Sequence, residues 1–401
     1  MSKRTVAAAV LATVVISLGV AGLVQKGVIG VTAAVPSAEP SDPPPGGAVF
    51  VTYDEQQARW QAAEIAVQPA RVLVKGIYLT GYTAGSRRFD ELVKLADETE
   101  LNAMVIDIKD DSGWVTFRSS LPEVKEAKAD TGMIPDLDGL LATLKGHDIY
   151  PIARIVTFKD PRYGASHPDQ AVHNRAGGIW RDRTGAAWLD PYNRKNWDYA
   201  VSVAREAAMK GFREIQFDYV RFPSDGDVED IVYPAGDGRI PADVIASFLA
   251  YAREQLAPFR VFVSADIFGL IPSVHDDQGI GQYWEKVVPP VDYVSPMAYP
   301  SHYAPYTYGL KDPDLAPYET VLNTLRDGIG RLGEQPVSKL RPWLQDFSLR
   351  HRYGAAEVRA QIQAAYDQGV KEWLLWNAGN VYTRDALQPE ASPVRPEGAP
   401  Q

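Results

Sequence analysis

The chain contains no cysteine. Disulfides, thiol nucleophiles, zinc–thiolate sites and iron–sulfur clusters are therefore excluded. Histidine is also scarce. His147, His167, His173, His275, His302 and His351 fall at no metal-ligand spacing, so no metal and no cofactor is expected. Basic excess is lacking too: 41 Lys and Arg face 51 Asp and Glu, a net charge of −10. Phosphate backbones need a basic face, so a nucleic-acid partner is not expected. The phosphate-loop, HExxH and GxSxG motifs are missing. One GxGxxG match, Gly328 to Gly333, follows a helical pattern rather than a strand and so fails the context of a dinucleotide site.

Only one long apolar run occurs, residues 6–24, preceded by Lys3 and Arg4. A positive start and an apolar stretch read as an export signal or an N-terminal anchor over residues 1–35. Both readings send the rest of the chain across the membrane, with the basic end left inside. The expected location is thus secreted or on the outer face of a bacterial cytoplasmic membrane, with membrane contact only through this segment. Residues 36–70 hold a Pro-, Ser- and Gly-rich linker and a possible short helix at 54–65. Residues 71–385 form the expected domain, and 386–401 a Pro- and Glu-rich disordered tail.

What the domain does contain is alternation. Short apolar, β-branched runs lie at 74–80, 103–108, 150–156, 214–219, 261–266, 293–298, 342–347 and 373–376. Amphipathic stretches separate them, at 90–99, 137–147, 196–210, 243–256, 318–328 and 355–367. Alternating β and α units predict a parallel sheet with helical crossovers. Helix-to-strand links are short, such as 146–149 and 211–213. Strand-to-helix links are long, as at 109–135, 157–194, 220–240 and 299–316. Elaborated loops on one face predict an α/β fold, a (β/α)8 TIM barrel with its site at the C-terminal ends of the strands. An open doubly wound sheet is the alternative.

Carboxylates stand at those ends. Asp218 closes strand four and Asp266 strand five. Adjacent strands lie ~4.8 Å apart, so the two can flank one substrate atom. Such a pair suits glycosidic bond cleavage, in which one carboxyl protonates the leaving oxygen and the other is nucleophile or base. Asp218 is expected as nucleophile or base and Asp266 as acid. The bland reading is that each caps a helix or that Asp218 pairs with Arg221. Asp107 and Lys109 share one face of strand two and are expected to pair at the mouth, with Asp111 just beyond. Arg154, a charge inside an apolar strand, can fix the ionised state of Asp107 or Asp218. Gln345 and Asp346 alternate on strand seven, so only one faces the pocket. Trp376 or Asn377 ends strand eight, and Tyr299 opens a Tyr-rich loop with Tyr306 and Tyr308. Rings and amides at a barrel mouth suit a carbohydrate. Asp225, Asp227, Glu229 and Asp230 form an acidic cluster that reads as a solvated loop rather than a calcium site.

Four segments carry a family resemblance: Val74-Lys75-Gly76-Ile77-Tyr78, residues 102–113, Gln216-Phe217-Asp218-Tyr219-Val220-Arg221-Phe222-Pro223, and Ser295-Pro296-Met297-Ala298-Tyr299. Through them the chain resembles, over residues 74–380, the bacterial glycoside hydrolase-like family first catalogued as a domain of unknown function. The resemblance implies a barrel related to amylase-like glycosidases, with an acidic pair at strand ends. Asp218 matches the strand-four carboxylate of many such barrels. Amylase-like enzymes place Glu as the acid on strand five, where this chain has Asp266. The expected function is hydrolysis of a glycosidic bond in an extracytoplasmic polysaccharide. The alternative is a non-catalytic glycan-binding barrel at the cell envelope. Esterase or deacetylase chemistry lacks a nucleophile motif and a metal cluster.

Overall fold

The computed structural model describes residues 70–389. The apolar run 6–24, the linker, the possible helix at 54–65 and residues 390–401 lie outside them. Eight parallel strands close into a barrel: β1 (Lys75–Leu79), β2 (Ala103–Lys109), β3 (Tyr150–Val156), β4 (Glu214–Asp218), β5 (Phe262–Phe268), β6 (Tyr293–Met297), β7 (Trp343–Gln345) and β8 (Trp373–Trp376). Each strand pairs with its sequence neighbour, and β1 pairs with β8 to close the ring. The crossover helices are α1 (Arg88–Asp97), α2 (Leu137–Gly146), α3 (Arg194–Lys210), α4 (Pro241–Leu256), α5 (Trp284–Val287), α6 (Pro317–Gly330) and α7 (Ala355–Asp367). Gly328 and Gly330 of the GxGxxG match thus lie in the last turn of α6. Among the described residues no helix is long and apolar enough to cross a membrane.

Local signals set these boundaries. The Asp136 side chain caps α2 by accepting from Gly139 N, and Asn193 caps α3 by accepting from Lys195 N. At the far end of α3, Gly211 takes φ +119°, the left-handed stop that only glycine adopts cheaply. Between β5 and β6, where the sequence offers no helical stretch, the crossover is the single helical turn α5. Pro272, Pro289 and Pro290 break the helical ladder there, and Gly279 and Gly281 take positive φ. One expectation needs correction. The tail starts later than residue 386: Ala386 and Leu387 are buried, and Thr99 bridges Pro389.

Two apolar layers hold the barrel. The helices pack on the outward strand residues, and a smaller cluster fills the interior with Val74, Tyr78, Val105, Ile152, Phe262 and Leu374 among others. Full burial of each such side chain contributes roughly 1.5–3 kcal/mol. The interior is not wholly apolar, because alternate residues of β4 and β5 point inward as polar groups. At the N-terminal ends Arg341 bridges Glu214 (2.8 Å) and Glu372 (3.1 Å), all buried. In the middle Gln216 Nε2 donates to Ser295 Oγ. At the C-terminal ends lie Asp107, Arg154, Asp218 and Asp266.

The loops beyond the strands are built, not bare. His173–Asn174 and Ile231–Val232 form a two-stranded ribbon that joins the loops after β3 and β4. The acidic cluster serves that ribbon: Asp227 O accepts from Trp180 Nε1, and Asp230 Oδ1 from Arg175 N. Past β8 the chain turns back as a strap. Asn380 binds the β1 end through Thr80 N and Tyr78 O, and Gln388 exchanges bonds with Glu100 ahead of β2.

Candidate active site

Period-two alternation along β4 and β5 brings Asp218 and Asp266 to the inner rim of the barrel on neighbouring strands. Arg154, inward from β3, sits between carboxylates. Its Nη1 lies 2.5 Å from Asp107 Oδ1, its Nη2 2.5 Å from Asp218 Oδ2, and its Nε 3.0 Å from the same oxygen. The other oxygen of Asp218 accepts from Tyr219 N at 2.6 Å. Tyr219 takes a left-handed φ of +47°, a conformation unfavourable for a tyrosine and held by its surroundings. Arg154 is therefore the cation in contact with Asp218, while Arg221 acts on it only from a distance.

Asp266 stands in the opposite environment. It is 1% exposed, and its Oδ1 accepts from Trp343 Nε1 at 2.7 Å. Burial pushes its carboxyl well above the ordinary range, and the charge of Asp218 pushes it further; Arg154 and Trp343 offset only part. Of the two neighbouring carboxyls, one is held beside a guanidinium and the other is buried with its pKa pushed upward. Asp107 is also raised by burial, against the pull of Arg154 and of Tyr78, whose hydroxyl donates to it at 2.5 Å.

The pair is ringed by half-buried side chains from five strand ends: Tyr219, Phe268, Met297, Phe347 and Trp376. Trp376 stacks on Tyr78 at 3.9 Å between centroids and meets Trp343 edge-on at 5.4 Å. Tyr299 is buried beside the carboxyls. Burial raises its hydroxyl, and Asp266 and Asp218 add to the shift. It touches His302 and Phe347 edge-on. Burial lowers the His302 imidazole to about 4, so it is neutral near pH 7.

Other expected residues lie elsewhere. Lys109 does not pair with Asp107. The register of β2 on β3 shifts between Asp107 and Lys109, which turns Lys109 away from the barrel axis. There it is fully buried, 2.8 Å from Asp160 Oδ2, and donates to Val156 O. Asp111 is half-buried at the mouth, 3.5 Å from Lys159 Nζ. Arg221 is buried in the loop wall over the rings of Trp188, Tyr219 and Phe268, bonded to Phe222 O and Ser224 Oγ. Gln345, Asp346 and Asn377 hold loops. Gln345 clamps Ser301 N and Phe347 O, Asp346 binds Thr383 twice, and Asn377 donates to Asp346 O. Tyr78 and Trp343 were not singled out from sequence. Inward alternation from Gly76 on β1 was the available signal for Tyr78; the brevity of β7 hid Trp343.

The arrangement sets a raised, buried carboxyl on Asp266, a proton donor in type, beside the Asp218 carboxylate that Arg154 holds. Among the described residues no group of His, Asp and Glu could hold a metal ion. Residues 76–382 match the family described as a putative glycosyl hydrolase domain. A hypothetical protein from Ruminiclostridium thermocellum is 43% identical over 51% of this chain and 98% of its own, with a TM-score of 0.45. The glycoside hydrolase domain of PgaB from Bordetella bronchiseptica superposes with a TM-score of 0.56 over 76% of this chain and 94% of its own, at 11% identity. An α-galactosidase of Geobacillus stearothermophilus gives a TM-score of 0.50 over 83% and 43% of the two chains, also at 11% identity. No curated protein matches the sequence. The match over most of the domain decides the assignment: the chain belongs to the putative glycosyl hydrolase domain family, a glycosidase family on a (β/α)8 barrel.

Proposed function

We propose that this barrel hydrolyses a glycosidic bond in a polysaccharide outside the cytoplasm by a two-carboxylate mechanism. Asp266 gives its proton to the leaving oxygen. Asp218, beside Arg154, acts as nucleophile or as base for water. One observation carries the reading: two neighbouring carboxyls lie in opposed environments, one against a guanidinium and one buried without a cation in contact. Trp376 and the half-buried rings at the other strand ends offer faces for sugar stacking, and Asp107 on β2 and Tyr299 after β6 face the mouth from opposite sides of the ring. The extracytoplasmic location rests on Lys3, Arg4 and the apolar run that follows.

A specific observation favours a second reading, a glycan-binding barrel without turnover. Both oxygens of Asp218 are already engaged, by Arg154 and by Tyr219 N, so attack would require one bond to be given up. The test is reducing-end release from a panel of soluble polysaccharides. Asp218→Asn is expected to lower kcat about a thousandfold or more while the circular dichroism spectrum is kept. Equal turnover in that variant would remove Asp218 from the chemistry. Glycan binding without release by the wild type would leave the second reading.

A further inference from the structure

The surface carries an uneven distribution of apolar side chains. Ten large hydrophobic residues are exposed among the described residues. Leu73 and Met209 lie toward the N-terminal ends of the strands. The other eight, Tyr82, Val228, Val232, Ile240, Tyr306, Leu315, Leu349 and Val381, all lie in segments that follow strands. Single exposed apolar residues are ordinary, but their gathering on the face that bears the carboxylates is not.

The topology places them further. In the closed ring β4 lies opposite β8, with β1 beside β8. Val228, Val232 and Ile240 belong to the loop after β4. Tyr82 follows β1 and Val381 follows β8. Those two loops are tied together, since Asn380 Oδ1 accepts from Thr80 N at 3.0 Å. Between the two groups run Asp218, Arg154, Asp107 and the Trp376–Tyr78 stack. Off this line, Tyr306 is also presented on a pinned loop. Its N donates to Leu310 O, and Tyr308 Oη meets Ser273 Oγ and Thr324 Oγ1.

We propose that the mouth binds a polysaccharide chain laid along the β4–β8 diameter, with sugars held on both sides of the carboxylates, so that cleavage falls within the chain. This rests on the glycosidase reading and adds the polymeric substrate and its direction. The ring of Tyr82 and the apolar side chain of Ile240 are the outer contacts, about 70% and 55% exposed in the free protein. Both are surface residues, so their replacement leaves the core intact.

The experiment uses affinity electrophoresis of the protein in gels holding xylan, glycol chitin, laminarin or dextran. It also follows viscosity against reducing ends for whichever polymer is cleaved. The expected result is retardation in at least one gel, with Tyr82→Ala and Ile240→Ser each weakening it about tenfold, the scale of one lost stacking or apolar contact. Viscosity should fall before reducing ends accumulate. Monosaccharide release from the outset, or rates independent of chain length with both variants unaffected, would overturn the proposal and leave the glycosidase reading standing. Tyr82-dependent retardation without any hydrolysis would keep the polymer site and end the catalytic reading. Tyr82-dependent pelleting with phosphatidylglycerol vesicles, without retardation in any gel, would assign this face to lipid instead.

Discussion

Asp266 joins stability to activity at a single atom. Its carboxyl titrates near 3.8 when exposed and well above that when folded. The folded state therefore holds a proton that the unfolded chain has released, and stability falls as pH rises between those two points. The slope approaches about 1.4 kcal/mol per pH unit for one such group. Asp266→Asn keeps an oxygen for Trp343 and needs no proton, so it should lose activity yet gain stability toward neutral pH. Urea midpoints of both proteins across the acid range would show it; parallel curves would mean that Asp266 does not hold the buried proton. His302 has the opposite sign. Its pKa falls from 6.5 to about 4 on folding, so its contribution is present above 6.5 and lost as pH drops toward 4. Strand-end carboxylates such as Asp218 and Asp266 are legible in sequence because alternation fixes their face. Their partners were harder to read. Arg154 could be read as bound to either Asp107 or Asp218, and it holds both.

Strand β2 shows how one irregular step defeats a pattern. Alternation puts Asp107 and Lys109 on one face, and the register shift between them separates them. No residue type in Asp107-Ile108-Lys109 announces that shift. Lys109 instead ties the end of β2 to Asp160, the cap of the short helix Pro161–Ser166. Lys109→Met should cost about 3–5 kcal/mol, because Asp160 would be left as a buried charge. Lys109→Met with Asp160→Asn should recover much of that loss in the same thermal melt. If the single variant melts like the wild type, the pair contributes nothing to the fold. The strands and six long helices were legible to within a few residues, since each carries its own apolar period. The single turn before β6 was not, because the four residues Trp284–Val287 between prolines are too few to carry a helical period.

At the scale of the whole barrel, charge is stacked along the axis in two layers. Each layer holds two carboxylates on one arginine: Asp107 and Asp218 on Arg154 above, Glu214 and Glu372 on Arg341 below. The lower layer sits at the strand ends that conventionally serve stability. Arg341→Met should destabilise by about 3–5 kcal/mol, read from urea midpoints, and neutralising Glu214 and Glu372 as well should restore most of it. A triple variant no more stable than the single one would show that packing, not charge, is what Arg341 provides. The barrel itself was legible from loop lengths, because long returns on one face need no knowledge of contacts. The lower layer was not, since Glu214, Arg341 and Glu372 are far apart in sequence and meet only when the ring closes. The strap after β8 bears on how the molecule stands in its surroundings. It runs from the mouth back to Thr99, ahead of β2, while Arg71 at the other end bonds Tyr293 and Ser338 beneath β6 and β7. Both ends of the described domain thus leave from its back. A chain continuing from either end therefore starts on the side opposite the mouth and need not cross the carboxylates to leave the domain.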